Sequence, residues 1–166
     1  MKTRIILLLI IICRLTNVSY AIEQKEPNFA SFINEDSIET IEIDKTEFAI
    51  NTIMDVTIIR YEGGELHELR DTVVISNRDE ICRFIQAMRQ LENRDKSLYG
   101  SFDTRGRISI IYKNGKRENC YFSTFFLFGS DGNLYSIQWN SPTGSTLRRI
   151  ILSYFNHDDY KKDGYF

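Results

Sequence analysis

The chain has 166 residues, of which 42% are hydrophobic, 13% aromatic and 27% charged, the make-up of one ordinary globular domain. Nine glycines and two prolines exclude a collagen-like or low-complexity chain. A formal net charge of -2 excludes the global basic field that marks many nucleic-acid binders.

Residues 1–21 have the form of a secretory signal peptide. Lys2 and Arg4 make the charged start, residues 5–13 are an unbroken apolar run, and Ser19 and Ala21 put small residues at the two positions that define cleavage. The run is less than half of the roughly 20 residues a bilayer requires, and no later stretch is longer. The mature chain is therefore expected to be secreted or periplasmic, with no transmembrane span after signal removal. Of the 21 basic side chains, Lys2, Arg4 and Arg14 leave with the leader, so 18 remain against 23 acidic ones. Residues 22–36 mix acids with Pro27 and show no sustained period, which predicts a mobile acidic lead-in.

A single domain is expected over residues 37–157, followed by a charged tail over 158–166. Ile38, Ile41 and Ile43 predict a strand with Glu39 and Glu42 turned to water. Residues 56–76 read as a hairpin reversed at Gly63-Gly64, because two glycines supply the positive φ angles of a two-residue turn. Ser76 or Asn77 then caps a helix with Asp79 and Glu80 in its first turn. In it Ile81, Phe84, Ile85, Met88 and Leu91 recur at helical spacing.

After a polar loop over 95–106 come two strong turn signals, Asn114-Gly115 and Asp131-Gly132, joining three strands at 107–113, 116–128 and 134–140. Two-residue turns would set Ile108 opposite Tyr121, Ser109 opposite Cys120 and Phe126 opposite Ile137. That register puts apolar side chains on both faces of the meander, so a second covering element is expected. A last helix capped by Ser145 or Thr146, with Leu147, Ile150, Ile151, Tyr154 and Phe155 as its stripe, supplies one. The fold class is then α+β, an antiparallel sheet made of a hairpin plus a three-stranded meander, with two packed helices. A helix followed by a curled meander resembles cystatin-like and other small exported binding domains in its order of elements.

The residues spell out few chemistries. There is no Gly-x-Ser-x-Gly elbow and no phosphate-binding loop. His67-Glu68 is followed by Asp71 where a zinc helix needs its second histidine, and Asp159, Asp163 and Gly164 lack a ligand at Lys161. No metal, cofactor or catalytic set is assigned. His67 and His157 are the candidate general bases, each expected in a solvated surface position. Once Cys13 leaves with the leader, Cys82 and Cys120 are expected to form a disulfide, as pairs of thiols do in oxidising compartments.

One feature rises above background: Arg105, Arg107, Lys113, Lys116 and Arg117 lie close together with no acid among them, a basic hairpin able to hold an anionic partner or to protect a strand edge from pairing. The function expected is that of an exported, non-enzymatic binding domain, with an inhibitor or immunity-type protein as its sharpest version. Its partner would be a protein or an anionic envelope or extracellular ligand, not nucleic acid. A small secreted hydrolase using a His/carboxylate pair and a structural component of the cell envelope are the alternatives from other classes.

Overall fold

The structure is a computed structural model that describes residues 28–46, 56–94, 102–138, 140–141 and 143–155. Among these residues seven strands form one sheet: β1 (Ile38–Lys45), β2 (Asp71–Ile75), β3 (Asn93–Arg94), β4 (Gly106–Tyr112), β5 (Arg117–Phe122), β6 (Phe126–Phe128) and β7 (Leu134–Ser136). Their spatial order is β2-β1-β4-β5-β6-β7-β3, and every neighbouring pair is antiparallel. Three α-helices accompany the sheet: α1 (Ile58–Glu62), α2 (Arg78–Arg89) and α3 (Gly144–Ser153). The α+β class with an antiparallel sheet and packed helices is as expected. No helix among the described residues is long and apolar enough to cross a membrane.

One face of the sheet carries the core. Ile41 and Ile43 of β1, Ile75 of β2, Ile108 and Ile110 of β4, Cys120 and Phe122 of β5, Leu127 of β6 and Tyr135 of β7 are all buried there. The stripe of α2, namely Ile81, Phe84, Ile85 and Met88 continued by Leu91, is buried against them, as are Leu147, Ile151 and Phe155 from α3 and the residues after it. The Asn77 side chain accepts from the amides of Asp79 at 2.9 Å and Glu80 at 3.2 Å, which satisfies two of the first free donors of α2. The last helix begins earlier than Ser145: Ser141 Oγ accepts from the Gly144 amide at 3.2 Å. A Cβ on Gly144 would stand 2.2 Å from the Ser136 carbonyl oxygen, so the helix start and the end of β7 approach as closely as only glycine permits.

The meander differs from expectation by one residue, and the turn chemistry explains it. Ile108 stands opposite Cys120, not Tyr121, and Ser109 opposite Asn119, not Cys120. Tyr112 donates its amide to the Lys116 carbonyl, leaving Lys113, Asn114 and Gly115 as a three-residue loop with Gly115 at φ +82°. The second turn repeats this form. Gly129 bonds Asn133 across Ser130, Asp131 and Gly132, with Gly132 at φ +75°, and Phe126 stands opposite Ser136, not Ile137. In both loops the glycine takes the left-handed position of a three-residue hairpin with a bulge, where a two-residue turn would have needed one residue fewer. A one-residue slip exchanges the faces of a strand. Correcting it places Ile108, Ile110, Cys120 and Phe122 together on the core side, while Tyr121, Phe126, Phe128 and Leu134 remain on the opposite face. The segment 116–128 is also two strands, not one, because Ser123 and Phe126 close a reversal over Thr124 and Phe125.

The expected hairpin over 56–76 is not formed. Thr57 Oγ1 accepts from the Arg60 amide and opens α1, and the two glycines end that helix instead of reversing a strand. Glu65 donates its amide to the Arg60 carbonyl and Gly64 to that of Tyr61, with Gly64 at φ +96°, the double bond of a Schellman terminus. After a short 3-10 turn at His67–Leu69, β2 pairs with β1.

Residues 28–37, taken from sequence mostly as the end of a mobile lead-in, form two 3-10 turns, Phe29–Phe32 and Glu35–Ser37, against α2. Phe29, Ala30 and Ile33 enter the core. The Asn28 side-chain amide donates to the carbonyls of Met88 at 2.8 Å, Arg89 at 3.0 Å and Leu91 at 3.1 Å, closing the carbonyl end of the helix. Arg89 reaches back to the Ala30 and Ile33 carbonyls and to Glu35 at 2.5 Å.

Candidate functional site

The five cations of the basic hairpin do not form one patch. Arg105 precedes β4 and is buried, with its guanidinium on Asp103 at 2.6 and 2.7 Å. Arg107 lies on the face opposite the core, bridging Asp44 at 2.5 Å and Glu62 at 3.0 Å. Arg117 pairs with Glu42 at 3.0 Å and Lys116 with Glu118 at 2.6 Å. Lys113 is exposed at the loop and has no side-chain partner among the described residues. From Arg107 to Lys113 the strand runs roughly 20 Å, and four of the five charges are balanced by a carboxylate of the same chain. Sequence distance alone could not show this, since Asp44, Glu62 and Glu42 come from other elements.

The face bearing Arg107 is a polar network under α1. Thr72 donates to Asp44 at 2.9 Å and the Tyr121 hydroxyl to Glu62 at 2.9 Å. Tyr61 inserts from α1, fully buried, with the Arg70 guanidinium carbon 3.6 Å from its ring centroid. Arg70 also donates to the Tyr61 and Glu65 carbonyls at the end of α1.

At the end of the sheet where both three-residue loops emerge, the first 3-10 turn closes a cleft of about 280 Å³ lined by Phe29, Phe32, Ile33, Tyr112, Glu118, Ser130 and Asp131. The two loops are built alike. Asn114 Oδ1 accepts from the Lys116 amide at 3.0 Å, and Asp131 Oδ1 from the Asn133 amide at 2.9 Å. Such a side-chain bond two residues on is what makes Asn and Asp turn formers. Phe32 stands at the rim and is 77% exposed. Burial, and then the Glu118 carboxylate to which its hydroxyl is bonded, hold the Tyr112 phenol above its ordinary range. Burial and the bond to Asp131 push Tyr135 up to about 12. Both acids at the cleft are thus engaged by tyrosine hydroxyls that stay protonated. Sequence reasoning missed this cleft because it joins residues from the assumed lead-in to Tyr112 of β4, Glu118 of β5 and the loop at Ser130–Asp131, far along the chain; the exposed Phe32 in an otherwise acidic stretch was the available signal.

Cys82 and Cys120 are free thiols, not the expected pair. Cys120 points into the core from β5, its thiol pushed up to about 12 by burial. Cys82 is half-buried on α2, which packs on α3, the 3-10 turns and β1. Of the candidate bases, His67 is exposed in its 3-10 turn and its imidazole makes no hydrogen bond among the described residues. His157 lies outside the described residues, as do residues 1–21 and 158–166. Among the described residues no group of three or more His, Cys, Asp or Glu could hold a metal ion.

No family model matches the chain, and neither a curated protein nor a solved structure matches it. The resemblance to cystatin-like domains accordingly has no support beyond the order of elements.

Proposed function

We propose that the chain is an exported binding domain that recognises a partner protein through the loop-bearing end of its sheet, with an inhibitor or immunity-type role as the sharpest version. The observation that carries this reading is Phe32, an aromatic side chain held out to solvent beside a formed cleft. A large apolar group next to a pocket is the arrangement in which protein interfaces concentrate their binding energy. The two hairpin loops add to it, since loops set on a rigid sheet carry recognition without disturbing the core. Of the partner classes expected from sequence, a protein fits better than an anionic polymer, because four cations of the basic hairpin already face carboxylates of the same chain.

The test is affinity capture from the native extracellular or periplasmic fraction, with the full mature chain and its Phe32→Ser variant side by side. A partner enriched by the parent and lost with the variant is the expected result. An identical set from both would remove this end of the sheet as the binding surface.

A further inference from the structure

Resting on that reading, we infer that the cleft takes a lysine side chain of the partner protein, and that the chain's own Lys116 competes for the same carboxylate. The argument begins with charge. The cleft is lined by Glu118 and Asp131 and by no cation, so its complement is a positive group. Asp131 is the more occupied of the two: its oxygens accept from the Asn133 amide at 2.9 Å, the Asn133 side chain at 2.9 Å and the Tyr135 hydroxyl at 2.6 Å. Glu118 is the acid with room, since a carboxylate offers about four acceptor positions.

The remaining walls suit the stem of a lysine. Phe29, Phe32 and Ile33 present apolar surface, against which a four-carbon chain packs while its ammonium reaches a polar end. The molecule itself displays the end contact. Lys116 Nζ lies 2.6 Å from Glu118 and 5.5 Å from the centroid of the Tyr112 ring, so an ammonium is already held by one carboxylate and one aromatic face of the cleft wall. Lys116 makes that contact from outside, because it is not among the lining residues and its side chain is 63% exposed. A cation so exposed is held weakly. A partner lysine entering between Phe32 and Tyr112 gains the same two contacts together with the apolar wall that Lys116 does not use, and it displaces Lys116 into water.

The probe is Nα-acetyl-lysine amide, titrated into the full mature chain while backbone amide resonances are followed, with Nα,Nε-diacetyl-lysine amide as the neutral control of the same stem. Saturable shifts at Tyr112, Glu118, Ser130 and Asp131 are expected, with the neutral control at least about tenfold weaker, as befits a charge-assisted contact. Glu118→Gln keeps the shape and a proton acceptor for Tyr112 while removing the charge, and should weaken the probe about tenfold. Lys116→Ala lies on an exposed loop side chain, leaves the fold intact and should tighten the probe several-fold by removing the competitor. Absence of saturable shifts, equal binding of the neutral control, or an unchanged affinity in Lys116→Ala would each overturn the inference. The binding-domain reading fails separately: if Phe32→Ser abolishes capture of a partner while the lysine probe does not bind, the surface stands and its ligand chemistry falls.

Discussion

Two short segments pack on the sheet and its main helices by opposite means. Residues 28–37 enter the apolar core, where Phe29, Ala30 and Ile33 are buried and Asn28 serves three carbonyls at the end of α2. Residues 57–70, containing α1, lie on the polar face and are held by one buried ring, Tyr61, and by the contacts of Glu62 with Arg107 and with the Tyr121 hydroxyl, which remain partly open to water. Neither segment is long enough to hold a helical form alone. The first should depend on buried hydrogen bonds and packing, whose loss is expensive. The second should depend on partly solvated pairs, whose individual loss costs little.

The largest effect is therefore expected at Asn28. Asn28→Ala removes the donor from the carbonyls of Met88, Arg89 and Leu91; Met88 keeps the Leu91 amide at 3.1 Å, and leaving either of the others unpaired costs about 1 to 3 kcal/mol where water cannot return. A loss of about 2 to 4 kcal/mol in urea unfolding is the expected outcome. A loss under about 1 kcal/mol would mean that the end of α2 is served equally well without this segment, and the contrast between the two segments would collapse.

On the other segment the corresponding single change is Gly64→Ala. Nothing lies within 4 Å of the added Cβ, so the cost comes from the left-handed backbone alone, φ +96°. About 1 kcal/mol is expected, because only glycine adopts that conformation without penalty. A neutral substitution would show that the helix end relaxes into a right-handed form and that the double bond to Arg60 and Tyr61 is dispensable.

How far these regions could be read in advance depends on whether local residues or distant ones decide them. The helix α2 was legible because Asn77, the acids at Asp79 and Glu80, and the apolar stripe all act within a few turns of one another. The turns at Asn114-Gly115 and Asp131-Gly132 were legible as turns, but not in length: the same dipeptides serve two- and three-residue loops, and the choice between them fixes which face each strand buries. The glycines at Gly63-Gly64 misled for a similar reason, since a positive φ suits a helix terminus as well as a hairpin. Residues 28–37 were illegible because their order rests on α2, some sixty residues further along the chain. The candidate cleft, which joins that segment to the strands flanking the first loop and to the second loop, inherits both difficulties. The cations Arg105, Arg107, Lys116 and Arg117 were visible, whereas the carboxylates that neutralise Arg107 and Arg117 became neighbours only through folding.

A smaller effect belongs to the ion pair that ties the first segment to α2. The bond from Arg89, followed by the backbone bond within its own turn, holds the Glu35 carboxyl below its usual value of 4.5. A carboxyl lowered on folding contributes stability that is present above its unfolded value and is lost as pH falls through the folded one. The parent should exceed Glu35→Gln in melting temperature near neutral pH, and the two curves should converge as pH falls from about 5 towards 3. Parallel curves across that range would show that the Arg89 contact is replaced by water in solution.

The smallest effect, and the one of opposite sign, is expected for Tyr61→Phe. The Tyr61 hydroxyl is buried and has no hydrogen-bond partner among the described residues, while its ring packs fully and stacks on Arg70. A polar group taken out of water without a partner costs free energy, so deleting the oxygen while keeping the ring should leave stability unchanged or raise it by up to about 1 kcal/mol. Asp44, Arg107 and Glu62 all act on the phenol electrostatically, and Arg70 and Arg107 oppose the burial that raises its pKa, so the hydroxyl sits among charges without being bonded to any of them. Asn28→Ala and Tyr61→Phe then form a matched pair: one removes a polar group that satisfies its surroundings, the other a polar group that does not. Urea unfolding of both variants under one set of conditions measures the contrast directly. If Tyr61→Phe instead loses more than about 1 kcal/mol, the hydroxyl is bonded in solution, and α1 is held to the polar face by a buried hydrogen bond of the same kind that holds residues 28–37 to α2.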